Sequence, residues 1–182
     1  MANICYTEIN IFEYDKERAT KLYEMILEAT RESRDLKELV DAYDLSNNYA
    51  RGEISFIQMQ DKYTIVIATE TAWTPSVGLW LELIDKIGIG QEILYYAEEF
   101  GCGILQTNNA NYIDMYYVDS ESSELDTMEC VSESDLRRIL CDLLKVKDKS
   151  LNDLLEDLSE DEKYSELVFI HKWEYIPLTE WC

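Results

Sequence analysis

Basic residues are scarce in this sequence, histidine is nearly absent and phosphate-binding glycine motifs are missing; each lack closes off a class of chemistry. Only 16 lysines and arginines stand against 38 aspartates and glutamates, a net charge of −22. Nucleic-acid affinity rests on cationic side chains that displace condensed counterions, so direct nucleic-acid binding is not expected. Anionic membrane surfaces are disfavoured for the same reason. His171 is the single histidine, which leaves one base for any serine–histidine or cysteine–histidine nucleophile pair. It lies in the apolar run LVFIH, where a structural or surface role is the ordinary one. No Gly-x-Ser-x-Gly, P-loop or Gly-x-Gly-x-x-Gly occurs, and GIGQ at residues 88–91 reads as a helix terminator.

Cysteine is limited as well. Cys5, Cys102, Cys130, Cys141 and Cys182 are odd in number, widely spaced and contain no CxxC pair, a pattern that is neither a disulfide framework nor a zinc site. The opening MANICYTEINIFEYD lacks a basic region followed by an apolar core. No run approaches the roughly 20 apolar residues that span a bilayer. These absences predict a cytoplasmic protein with reduced thiols, no membrane segment, no cofactor, no metal and no catalytic residue.

What is present is core material and acid. The 182 residues are 47% hydrophobic and 12% aromatic, unlike a disordered acidic tail, which is poor in aromatic and branched residues. Residues 3–12 read as a strand. Asp15 is placed to cap a helix with apolar positions at Ala19, Leu22, Tyr23, Ile26 and Ala29. The stripe weakens over Thr30–Asp35 and resumes at Leu36, Leu39, Val40 and Tyr43, which leaves one long helix or two. Ser46, Asn47 and Asn48 are expected to end it. Strands over Glu53–Gln60 and Lys62–Thr69 follow, turning at Asp61. Thr74 as N-cap and Pro75 at the first helical position predict a helix. Its expected stripe is Val77, Trp80, Leu81, Ile84 and Ile87, closed by Gly88 or Gly90. Gln91–Glu98 is a fourth strand. The order β-α-β-β-α-β predicts an α+β, ferredoxin-like sheet, which Gly103–Thr107 and Tyr112–Asp119 would extend.

Three segments resemble the YubB-type ferredoxin-like domain family of phage and plasmid proteins. The opening Met1-x-Asn3-Ile4-Cys5 is similar to that family's Met-x-Asn-Trp-Cys, with isoleucine where the family has tryptophan. Thr71-Ala72-Trp73-Thr74-Pro75 is similar to its Thr-Ala-Trp-Ser/Thr-Pro lead into the second helix. Glu98-Glu99-Phe100-Gly101-Cys102-Gly103 is similar to its acidic strand and glycine pair. The likeness covers residues 1–118 and implies the fold and a mobile-element origin; it implies no activity. Residues 119–182 are expected to form an acidic, mainly helical extension with a final strand over Leu167–Trp173. In it Ser134 and Ser150 are the expected caps of two leucine-rich helices.

Charge is concentrated late in the chain. Residues 92–182 hold 22 acids and 7 bases, whereas residues 1–91 hold 16 and 9. Asp119, Glu121, Glu124, Asp126 and Glu129 lie in one base-free run. Asp153, Glu156, Asp157 and Glu160 lie in a second. The spacing Asp119-x-Glu121-x-x-Glu124-x-Asp126 is not a calcium loop, because an EF-hand needs glycine at its sixth position and a bidentate acid at its twelfth, where Glu124 and Cys130 stand. Between the runs, Arg137 and Arg138 are expected to neutralise neighbours. A surface this acidic complements a basic protein surface and speeds encounter with it, and aromatic residues anchor such interfaces. The two acid runs, with Tyr116 and Tyr117, are therefore the expected partner-binding residues. The expected function is that of an anti-CRISPR or anti-restriction inhibitor from a mobile element, imitating DNA charge. Its partner would be a basic host protein, an RNA-guided CRISPR nuclease or a restriction enzyme. The alternative is a non-inhibitory structural or regulatory module, and homodimerisation through the sheet or an aromatic patch fits either.

Overall fold

A computed structural model describes residues 3–45 and 51–181, and the chain divides into two compact units. The first comprises residues 1–108 with 176–182, the second residues 109–175.

In the first unit, alternating β-branched and aromatic residues form strands β1 (Ile4–Phe12), β2 (Gly52–Met59), β3 (Thr64–Ala72), β4 (Glu92–Glu99) and β5 (Ile104–Thr107). They lie in the order β2-β3-β1-β4-β5, and each neighbouring pair is antiparallel. Register builds the core row by row: Ile9 faces Ile67 and Tyr95, and Ile11 faces Ile65 and Ile93. One hydrophobic cluster joins these residues to Leu22 and Ile26 of α1 (Lys16–Ala29), Leu36 and Leu39 of α2 (Leu36–Tyr43), and Trp80 and Leu83 of α3 (Val77–Ile87).

The stripe over residues 16–43 is two helices. Asp15 caps α1 by accepting from Glu17 N and Arg18 N, and Asp35 caps α2 by accepting from Lys37 N. Residues 46–48, expected to end the second helix, lie outside the described residues; Asp44, in the left-handed region, is its C-cap. Asp61 makes the predicted turn, accepting from Tyr63 N and Thr64 N. The expected Thr74 cap is not used. Helix α3 starts at Val77 behind Ser76, which makes no side-chain cap; the Ser76 hydroxyl is instead engaged by Thr69 Oγ1 at 2.8 Å and by the Trp80 indole N–H at 3.1 Å. Ile84 and Ile87 pack at the margin of the core instead of within it. Gly88 ends α3 at φ 61°, a conformation glycine adopts without strain.

The second unit has its own sheet and core. Strand β6 (Met115–Ser120) does not extend the first sheet. It lies between β7 (Met128–Ser132) and β8 (Val168–Lys172), because Tyr116 and Val118 alternate onto the leucine faces of α4 (Glu133–Leu144) and α5 (Leu151–Glu160). Ser132, not Ser134, caps α4, and Ser150 caps α5 as expected. The two compact units are divided at 108/109 and 175/176, whereas the sequence reading divides the chain at 118/119. The last residues return to the first unit, where Ile176 N donates to Thr107 O at 2.9 Å and Tyr95 Oη donates to Ile176 O at 3.1 Å. Among the described residues no helix is long and apolar enough to cross a membrane.

Candidate partner-binding surface

The acids of the second unit divide by what their neighbours do with them. Glu124 is held in place: it accepts from Lys163 Nζ and from Tyr164 Oη, each at 2.5 Å. The hydrogen bond from Lys163, then that from Tyr164, keeps its carboxyl below the usual range, while Lys163 is pushed up to about 12. Asp157 pairs with Lys149 at 2.6 Å. Asp153 completes the α5 cap, accepting from the Ser150 hydroxyl at 2.7 Å. These three serve the fold. Glu121, Asp126, Glu129, Glu156 and Glu160 are exposed, and among the described residues no salt bridge reaches them. Glu156 and Glu160 stand one turn apart on α5, which buries Leu151, Leu154 and Leu158. Arg137 and Arg138 pair with Asp148 and Asp135.

The tyrosine pair separates. Tyr116 is 9% exposed and belongs to the core, so its expected place as an outward anchor is corrected by the pleat. Tyr117 lies on the opposite face, across from His171 with ring centroids 6.5 Å apart. Asp119 is half-buried beside them, across from the exposed Phe169. Burial lowers the His171 pKa and the Asp119 carboxylate opposes that shift.

The first unit also carries an acidic row that has no signature in the sequence, because cross-strand register creates it. On the face of the sheet opposite the core, Asp35 bridges to Glu53, Glu53 faces Glu70, Glu70 faces Tyr6 and Tyr6 faces Glu98. Like charges directly opposite across strands destabilise a sheet. Burial raises the Tyr6 pKa, and Glu8, Glu98 and Glu70 raise it further. Gly52 lets β2 approach β3 closely here: a Cβ on it would lie 2.2 Å from Glu70 O.

The three segments that carry the family resemblance meet at this end of the sheet. Trp73, at φ 75°, donates its N–H to Asn3 O at 3.1 Å. Asn3 Nδ2 donates to Cys102 Sγ at 3.3 Å, and Glu99 accepts from Gly101 N and Cys102 N. Neither thiol is activated. The Glu99 carboxylate raises the Cys102 pKa, and burial pushes Cys5 up to about 11, whereas a reactive cysteine needs a lowered one. Among the described residues no group of three or more His, Cys, Asp or Glu is arranged to hold a metal ion. No family model, curated protein or solved structure matches this chain, so what bears on its function is the placement of its own charges and aromatic rings.

Proposed function

We propose that this chain is an inhibitor that occupies the basic nucleic-acid-binding surface of a host defence nuclease, of the RNA-guided CRISPR or restriction type, with carboxylates standing where phosphates go. The observation that carries this reading is the set of exposed carboxylates at Glu121, Asp126, Glu129, Glu156 and Glu160, to which no salt bridge is made among the described residues. They sit in the half of the chain that holds 22 acids and 7 bases. Tyr117 and Phe169 offer aromatic anchor area on the same unit.

The first unit supports the mobile-element side of the reading. Strands β2-β3-β1-β4, each pair antiparallel, follow the order of a split β-α-β sheet. That order supports a ferredoxin-like domain and the YubB-type resemblance. One observation favours the alternative, a non-inhibitory interaction module: Glu124, Asp157 and Asp153 are committed to internal contacts. The two readings separate in a competition experiment. A nuclease captured from host lysate is loaded with its DNA target and titrated with the chain. The inhibitor reading requires mutual exclusion, with DNA released as the chain binds. A ternary complex that still cleaves DNA would leave the module reading in its place.

A further inference from the structure

The face of the first sheet that looks away from its core combines two features with opposite solvent preferences. It carries carboxylates in register, Glu53 facing Glu70 and Tyr6 standing between Glu70 and Glu98. Large apolar side chains are also uncovered to either side of this row: Ile4 is 60% exposed and Trp73, just past β3, 49%, and Phe56, across from Ala68, 44%. Exposed apolar area rimmed by polar groups marks interaction surfaces. A concavity of about 410 Å³ opens there, bordered by Ile4, Asp35, Glu53 and Glu70; none of its described lining residues is a lysine or arginine, and the nearest in the chain are Arg34 and Arg51, next to Asp35 and Gly52.

The width of the row selects the occupant. From β2 to β4 the row crosses three strand intervals, about 14 Å at the usual spacing. That is too wide for one metal ion, and the carboxylates form no metal-ion group among the described residues. It matches cationic side chains carried on a polypeptide, whose apolar neighbours would cover Ile4 and Phe56. Nucleic acid and anionic lipid are excluded by the sign of the charge. We infer that this end of the sheet is a docking surface for a basic extended segment of a partner protein, with an arginine or lysine entering the concavity between Glu53 and Glu70, beside the α2 cap Asp35. This surface belongs to the first unit and the carboxylates of the preceding proposal to the second; the two proposals share only a basic partner.

The test uses the full chain and a fluorescein-labelled hexapeptide of alternating arginine and valine, read by anisotropy at low salt. Glu53→Gln with Glu70→Gln is expected to weaken binding tenfold or more. Glu156→Gln with Glu160→Gln, which removes the same charge from the second unit, is expected to weaken it less than twofold. Ile4→Ser keeps every charge and is expected to weaken binding several-fold through lost apolar cover. Because Ile4 is exposed, this variant decides the matter if the glutamate pair fails to fold. Equal losses from the two glutamate pairs, wild-type affinity in Ile4→Ser, or a wild-type chain that ignores the peptide would each overturn the proposal. Neutralising Glu121, Asp126 and Glu129 tests the inhibitor reading and leaves this one standing whichever way it falls.

Discussion

Glu13 is the most deeply buried carboxylate that carries an ion pair, only 3% exposed. Its oxygens accept from Arg18 Nε at 3.1 Å, Gly90 N at 3.0 Å and Asp15 N at 3.3 Å, tying the start of α1 to the turn before β4. Desolvation alone would raise its pKa, but these hydrogen bonds, Gly90 first, hold it below the ordinary value. A depressed folded-state pKa gives stability that is present above the unfolded value, near 4.3, and lost as pH falls through the folded one. Glu13→Gln should cost about 2 kcal/mol at neutral pH, since it presents an amide N–H₂ to a cluster of donors. It should also flatten the acid limb of a urea-unfolding series below pH 4. A second buried junction is Tyr95, which donates to Ile176 O and accepts from the Trp181 indole at 3.2 Å. Tyr95→Phe should cost about 1–2 kcal/mol, and hydrogen exchange at residues 176–181 should rise more than elsewhere. None of these partners could be read from the sequence. Asp15 was legible because a cap acts within three residues, whereas Glu13 meets Gly90 only through the fold.

Among the elements, those governed by local rules were the legible ones: β1 by its β-formers, α1 by Asp15 and its stripe, and α5 by Ser150. Elements set by tertiary partners were not. Thr74-Pro75 is a sound helix start by local rules. Even so, Ser76 precedes α3 without a side-chain cap, its hydroxyl held in the core by Thr69 and Trp80. Ser76→Ala should leave the buried Trp80 N–H without its acceptor and cost about 1–3 kcal/mol, measured by thermal unfolding. Strand β7 was hidden in an acid-rich run, because of its five residues only Val131 is buried against the core. The carboxylate row of the first unit depends on which strand lies beside which, and on the register shift between Ile54 and Phe56. A list of glutamates in chain order carries no trace of it.

For the whole molecule the governing quantity is a charge of −22. Self-repulsion of that size opposes the compact state and speeds encounter with cations. Exposed charges are screened beyond a Debye length of about 8 Å at physiological ionic strength. Added salt should therefore stabilise the chain against urea while weakening its hold on a basic partner, two opposite slopes from one cause. The sequence made the charge and its skew toward the second half plain. It could not show that Glu124, Asp153 and Asp157 are drawn into local contacts while Glu121, Asp126 and Glu129 stay exposed. The most direct test of the central claim is stopped-flow association of a captured basic partner with wild type and with Glu121→Gln/Asp126→Asn/Glu129→Gln, at low and high salt. Long-range charge steers encounter more than it holds the complex. The variant is therefore expected to associate several-fold more slowly at low salt, to dissociate at a nearly unchanged rate, and to converge with wild type at high salt. Equal association rates at low salt would contradict that claim and reduce these acids to a solvated face.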